Sequence, residues 1–350
     1  MKRPRVLITG GCGFIGSHLA PFLTKKGFDV VIFDKLSPDL LNKQTIFVKG
    51  NILNKNAVEN LFKNFGPFET VYHLAAALPN KTMSDKLLWQ TNVKGTRQIT
   101  SFAVKHKTKS LIFTSSNTVY GIPPQLPTTE NTAINPLEIY GKSKAQAEKE
   151  LFEFIDKINI HMFRCPVVSG VGRLGLQGIL FEFISENKKI YVLGGGKNKY
   201  QFIDVDDLCE AMYKSSKIKG YDVYNIGADK ICSIEDIYKS VIKHAKSASS
   251  IVSLPQKPTM AVLAFFNKLN FSPLGIYQYT MLGQSLFSDT SKIKKRLSWN
   301  PKKTNTALFI ENYQWFLENR QSFKSLGRRN LSDNRSLPKM GILKLLKLIS

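Results

Sequence analysis

The apolar residues of this chain come first in short, continuous runs separated by helical periodicity. Val6-Leu7-Ile8, Val30-Val31-Ile32-Phe33, Ile46-Phe47-Val48, Thr70 to Ala76, Ser110 to Ser116 and His161-Met162-Phe163-Arg164 read as strands. Runs of this kind, without polar alternation, are the pattern of strands covered on both faces. Between them, Ser17 to Lys26 and Leu87 to Lys107 read as helices, and Ala57 to Phe65 places apolar residues at 57, 58, 61, 62 and 65. A further helix carries Tyr140 and Lys144, with Asn135 as the expected cap and Pro136 as its first residue. Strand and helix in alternation predict an α/β fold with a doubly wound parallel sheet.

Past Arg164 the alternation loosens into glycine-rich loops, Ser169 to Gly178 and Gly194 to Gly196, around a helix at Ile179 to Asn187. Tyr200 to Lys214 returns to strand then helix, Val223 to Gly227 is a strand, and Ser233 to His244 is a helix opened by Ser233 and Glu235. The expected organisation is a larger α/β domain over 1–165 with returning segments near 200–228, and a smaller interleaved α/β lobe over 166–320. Pro258 to Phe287 is unusually apolar and reads as a helical hairpin within that lobe, or as a pocket wall or membrane-facing patch. Trp299, Trp315 and Phe316 are assigned to a closing helix that ends near Asn319. Residues 321–350 form a basic linker and tail, in which Lys339 to Ser350 has the pattern of a short amphipathic surface helix.

Composition narrows the class. Hydrophobic residues make up 43% of 350, enough for a large core. Cys12, Cys165, Cys209 and Cys232 lie far apart without a C-x-x-C pair, which argues against a disulfide framework and a zinc site and favours a reducing compartment. The basic residues at the start precede a run broken by glycines, so they do not read as a signal peptide, and no 18 consecutive residues are apolar. The expected location is cytoplasmic, or peripheral at the inner face of the membrane if the tail is a surface anchor rather than a helix docked on the protein's own surface or a frayed end. The net charge of +24 reads mostly as a solvated lysine-rich surface, so no nucleic-acid partner is expected. Only the tail departs from this, with eight Lys or Arg against one acid from Arg320 to Ser350.

The first chemistry lies in Thr9-Gly10-Gly11-Cys12-Gly13-Phe14-Ile15-Gly16, between a strand and a helix, with Asp34 at the end of the next strand 18 residues after Gly16. Gly10 permits a tight turn, Gly13 lets backbone N–H groups approach a pyrophosphate, and Gly16 lets helix and strand pack closely. Phe14 and Ile15, in the same turn ahead of the helix, are assigned to the cofactor with these glycines, which makes 1–165 the nucleotide-binding Rossmann domain and 166–320 the substrate lobe. Asp34 can accept from a ribose diol and repels a 2′-phosphate, so the expected cofactor is NAD rather than NADP.

Thr114-Ser115-Ser116-Asn117-Thr118-Val119-Tyr120-Gly121 and Tyr140-Gly141-Lys142-Ser143-Lys144, following that fingerprint, resemble the extended short-chain dehydrogenases/reductases. Within them the chain is most similar to the NAD-dependent epimerase/dehydratase group that includes UDP-galactose 4-epimerase. Matching segments run from Val6 to about Asn319 and include His73 to Ala76, Thr91 to Thr96, Asp204 to Asp207 and Ser298 to Pro301. The resemblance implies Tyr140 as catalytic base, Lys144 as its electrostatic partner and holder of the nicotinamide ribose, and Ser116 as hydroxyl donor to the substrate oxygen. The chemistry agrees, because a tyrosine of pKa ~10 is a poor base at neutral pH unless nearby positive charge favours its phenolate. The resemblance also implies that Asn51, with Ile52, meets the adenine, that Leu74, Ala75 and Ala76 line the cofactor path, and that Asn92 ties a helix to the strand-end loops. It implies a homodimer through the Leu87 and Tyr140 helices.

Departures bear on substrate. Related dehydratases carry Asp-Glu where this chain has Asn117 and Thr118, neither of which is a general acid, so dehydration is not expected. Asn117 and Thr118 are instead assigned, with Ser116 and Tyr140, to the substrate. Positions that grip a nucleotide-sugar diphosphate in the group hold Val167 and Tyr200, and Met281-Leu282-Gly283 stands near an absent arginine segment, leaving Arg173, Lys197 and Lys199 to compensate. The expected activity is oxidation and epimerisation of a secondary hydroxyl on a nucleotide- or lipid-linked sugar. One alternative is a dehydrogenase of apolar alcohols, similar in kind to 3β-hydroxysteroid dehydrogenases. The other is a noncatalytic relative that binds RNA or an anionic surface, against which intact Ser116, Tyr140 and Lys144 argue.

Overall fold

The structure is a computed structural model that describes residues 3–37, 45–79, 83–268, 281 and 283–325. In chain order its first elements are β1 (Arg5–Thr9), α1 (Phe14–Lys25), β2 (Asp29–Asp34), β3 (Thr45–Lys49), α2 (Lys55–Phe65) and β4 (Thr70–His73). There follow α3 (Asp85–Trp89), α4 (Gly95–Lys105), β5 (Ser110–Ser116), α5 (Ile139–Phe152), β6 (Asn159–Cys165), β7 (Val167–Ser169) and α6 (Gly175–Ser185). The last are β8 (Ile190–Leu193), β9 (Phe202–Asp204), α7 (Val205–Ser215), β10 (Tyr221–Asn225), α8 (Ile234–Ala245), β11 (Ile251–Leu254), α9 (Gln256–Lys268), α10 (Ser291–Leu297) and α11 (Asn305–Ser325).

The chain divides into two compact units. The first comprises Met1–Pro166, Val205–Gly227 and Ser288–Asn300, and the second Val167–Asp204, Ala228–Phe287 and Pro301–Ser350.

In the first unit seven strands form one parallel sheet in the order β10-β6-β5-β4-β1-β2-β3. Winding reverses between β1 and β4, and open α/β sheets bind ligands beyond the strand ends at such a switch point. Most of the continuous apolar runs become strands covered on both faces, whereas Ile46-Phe47-Val48 is corrected to the edge strand β3, with Ile46 exposed. Val6, Leu7, Ile8, Val71, Leu111 and Ile112 are fully buried. Each such side chain contributes roughly 1.5–3 kcal/mol relative to leaving it in water. One core joins β1, β2, β4 and β5 to α2, α4 and α5 through Leu7, Val31, Leu61, Phe62, Ile99 and Leu151.

Several sequence-based boundaries are corrected. The long helix expected over 87–107 is α3 and α4 joined by a π-helical turn, Gln90–Lys94, centred on Asn92. Asn135 does not cap the Tyr140 helix. Its backbone N–H donates to Val119 O at 3.0 Å, which ties it outside the helix, and α5 starts at Ile139 with Glu138 as its cap. Trp299 lies just beyond α10 rather than in the closing helix, its indole donating to Asp207 O at 3.1 Å. That closing helix, α11, runs on to Ser325 rather than ending near Asn319.

The second unit pairs β7 with β9 and β8 with β11, both in parallel. Its core is formed by α6, α8 and α11 through Phe181, Ile184, Ile237, Val241, Leu308 and Phe316. Ser233 caps α8 in a reciprocal box with Asp236, and Glu235 stands in the first turn with Ser233 as expected, where it pairs with Lys197 and Lys239. Within the apolar stretch from Pro258 to Phe287, α9 is described to Lys268, and residues 269–280 and 282 lie outside the described residues, as does the tail from 326 to 350. Among the described residues no helix is long and apolar enough to cross a membrane.

Candidate active site

The glycine turn is built by close approach. Gly10 has φ +71°, and a Cβ there would lie 2.6 Å from Ala75 N, so the turn packs directly on the chain leaving β4. At Gly16 a Cβ would lie 2.4 Å from Gly11 O, so α1 packs on the turn only without one. Gly13 caps α1 without a side-chain hydrogen bond, and the first-turn N–H groups of Phe14 and Ile15 lie at the positive end of the helix dipole. Asp34, at the end of β2, accepts from Cys12 N and from Leu36 N, both at 3.0 Å, and so stands beside the same turn. This glycine cradle, with a carboxylate at its rim, fits a dinucleotide pyrophosphate and an adjoining ribose diol.

The other residues assigned to a cofactor lie at the same sheet end. Leu74, Ala75 and Ala76 are half-buried, with Leu74 N donating to Thr9 O at 3.1 Å. Asn51 is exposed and its Oδ1 accepts from Leu53 N at 3.0 Å, while Ile52 turns into the core. Asn92 makes the tie expected of it: Oδ1 accepts from Ala77 N at 2.7 Å, and Nδ2 donates to Ala77 O at 3.1 Å and to Ser143 Oγ at 2.9 Å.

β5 and α5 deliver the polar triad. Ser116 ends β5, and a 3₁₀ turn, Asn117–Tyr120, follows it directly. Ser116 Oγ accepts from Thr118 N at 3.2 Å and from Thr118 Oγ1 at 3.0 Å, which leaves its own proton to donate outward. Asn117 and Thr118 are both buried in that turn. Lys144 is only 2% exposed, and its ammonium donates to Thr114 O at 2.7 Å. The same ammonium lies 4.7 Å from the Phe113 ring centroid and 5.9 Å from that of Tyr140. Burial brings its pKa down to about 8, against a smaller raising effect of the neighbouring Cys165 and Glu148.

Sequence reasoning missed the network beneath this triad. Glu148, two turns after Tyr140 on α5, pairs with Arg164 of β6 at 2.8 Å with both side chains buried. Ser115 Oγ donates to Glu148 Oε1 at 2.5 Å, Arg164 Nη1 donates to Tyr120 OH at 3.0 Å, and Tyr120 OH donates to Asn225 Oδ1 at 2.7 Å. The signal available was the period: 140, 144 and 148 fall on one helical face. His73 is also buried, linked to Thr9 Oγ1 at 2.6 Å and Thr96 Oγ1 at 3.0 Å, and burial lowers its pKa to about 3. In the second unit Val167 is 43% exposed, Arg173 donates to Val168 O at 3.1 Å, and Lys197 is held by Glu235 at 2.6 Å. Among the described residues no cluster of His, Cys, Asp and Glu could hold a metal ion.

Residues 6–227 match the family described as NAD dependent epimerase/dehydratase. The chain is 36% identical to the uncharacterized protein y4nG of Sinorhizobium fredii, over 97% of this chain and 85% of the relative. It is 31% identical to a putative UDP-glucose 4-epimerase of Methanocaldococcus jannaschii, over 68% of this chain and 81% of the relative. Its fold is that of the UDP-glucose 4-epimerase of Thermotoga maritima solved with UDP-glucose, with a TM-score of 0.75 and 23% identity over 90% of this chain and 99% of that one. A glycine cradle on a doubly wound sheet, followed by the Ser116, Tyr140 and Lys144 constellation, therefore marks an NAD-dependent enzyme of the extended short-chain dehydrogenase/reductase class, and the chain belongs to the NAD-dependent epimerase/dehydratase family.

Proposed function

We propose that this enzyme epimerises a secondary hydroxyl of a nucleotide-linked hexose. The observation that carries the reading is the end of β5 and the start of α5. There a hydroxyl oriented to donate, Ser116, lies at the same sheet end as Tyr140, with the Lys144 ammonium 5.9 Å from the tyrosine ring. Relatives bearing the name UDP-glucose 4-epimerase support the substrate class.

On this reading the cofactor is held by Gly10, Gly13 and Gly16 and the N–H groups of Phe14 and Ile15 at the pyrophosphate, and by Asp34 at the adenosine ribose. Asn51 and Ile52 lie toward the adenine, and Leu74, Ala75 and Ala76 line its path. Bound NAD supplies a hydride acceptor that can also return the hydride, which makes the overall reaction redox-neutral. The chain supplies the proton chemistry. Tyr140 takes the hydroxyl proton of the substrate as its phenolate, and Lys144 favours that phenolate electrostatically. Ser116 donates to the same oxygen and stabilises the charge developing on it. When the carbonyl is reduced again, Tyr140 gives the proton back. Asn117 and Thr118 provide no carboxyl group for eliminating water, so the site is built for inversion rather than dehydration.

Incubation with UDP-glucose, UDP-galactose and the corresponding N-acetylhexosamines, with chromatographic analysis of the sugars, tests the reading. It predicts a C4-inverted product without accumulation of NADH. Steady NADH formation from an apolar secondary alcohol, with no sugar inverted, would replace it with the dehydrogenase reading.

A further inference from the structure

Both main-chain polar groups of Tyr140 are held by side chains. Its N–H donates to Glu138 Oε2 at 2.7 Å, and its carbonyl accepts from Ser143 Oγ at 2.7 Å. Gly141 N–H donates to Glu138 Oε1 at 2.9 Å, so Glu138 spends both carboxylate oxygens on the second and third residues of α5. The usual cap is a short Ser, Thr, Asp or Asn. Here a longer carboxylate makes two charge-assisted bonds at the positive end of the helix dipole.

The capped turn also abuts the residue that orients Ser116. A Cβ on Gly141 would lie 2.7 Å from Thr118 O, and Thr118 makes both donations to Ser116 Oγ. The first turn of α5 is thus confined between Glu138 and the turn that carries the serine. Tyr140 is the second residue of its helix, where fraying starts when the first N–H groups lose their partners.

We propose that Glu138 is a positioning residue for Tyr140, its carboxylate fixing the first turn of α5 so that the phenol and the Ser116 hydroxyl address one substrate oxygen. The proposal rests on the reading of Tyr140 as the base. A backbone that samples several arrangements reacts from only one of them, so loss of the cap lowers kcat while the remaining contacts continue to bind substrate.

The test compares wild type, Glu138→Ala, Glu138→Ser, Glu138→Asp and Tyr140→Phe as full chains with NAD bound. Two quantities are read: UDP-glucose turnover, and amide hydrogen exchange at Tyr140 and Gly141. Glu138→Ala is expected to lower kcat about tenfold with KM nearly unchanged. The same variant should exchange both amides faster, and Glu138→Ser and Glu138→Asp should restore rate and protection together. A purely structural cap would lower melting temperature without this coupled loss and rescue. The proposal is overturned if Glu138→Ala keeps wild-type kcat, or if the short caps restore amide protection but not kcat. Wild-type turnover by Tyr140→Phe would instead remove the assignment of the base, an outcome distinct from an inactive Tyr140→Phe beside an unimpaired Glu138→Ala.

Discussion

Glu148 and Arg164 meet at 2.8 Å in the interior, joining the helix that carries Tyr140 and Lys144 to the strand beside β5. Burial works against the Arg164 charge, and the Glu148 carboxylate outweighs it, so the guanidinium is held firmly charged. Removing one partner leaves the other charge buried without compensation. Glu148→Gln and Arg164→Met should each lose roughly 3–5 kcal/mol in urea denaturation. The double variant should lose less than their sum, and additivity would show that the two side chains are not coupled.

His73 should make the fold acid-sensitive. Thr96 Oγ1 donates to Asn92 O at 2.6 Å, so it accepts from His73 Nε2–H, and His73 Nδ1 accepts from Thr9. The ring is therefore neutral, with its pKa brought by burial from 6.5 to about 3. Between these values the unfolded chain binds a proton that the folded one does not, so stability falls as pH falls, by up to about 1.4 kcal/mol per pH unit. A His73→Gln variant should unfold with a flatter acid limb, and an unchanged slope would count against a buried neutral ring.

Lys144 should act in the opposite range. Its pKa is lowered from 10.5 to about 8, so the cost of burying the charge is fully present below pH 8 and is relieved as pH rises toward 10.5. Melting of wild type and Lys144→Met across that window should show the wild type gaining relative stability with rising pH. A constant difference would mean the ammonium is better solvated than its burial indicates.

Gly16→Ala should abolish retention of NAD, because its Cβ would meet Gly11 O at 2.4 Å and push α1 away from the turn. Asp34→Ala keeps the turn but loses the acceptor and the repelling charge, so it should bind NAD more weakly and discriminate less against NADP. Both are checked by titration calorimetry. Selectivity unchanged in Asp34→Ala would exclude the ribose role.

The sequence made the sheet legible because continuous apolar runs, and a glycine turn between strand and helix, have few other uses. It made the Tyr140-Lys144 face legible because helical spacing fixes which residues are neighbours, whereas the tie made by Asn92 was readable only through the family resemblance. Glu138 was not legible, since Asn135-Pro136 carries the stronger local capping signal and only the bond from Asn135 to Val119 O removes it. The π-helical turn at Gln90–Lys94 left no trace either, because its stabilising contacts at Ala77 and Ser143 are remote in sequence. Likewise the partners of Glu148 come from β5 and β6, and a period can show a shared face without naming what meets it.

The most direct measurement is interconversion of UDP-glucose and UDP-galactose by wild type and by Tyr140→Phe with bound NAD content matched. The account predicts that wild type converts each sugar into the other, and that Tyr140→Phe loses at least about a hundredfold in rate while holding the same amount of cofactor. Equal rates in the two proteins, or no inversion of any nucleotide sugar by wild type that retains NAD, would contradict it.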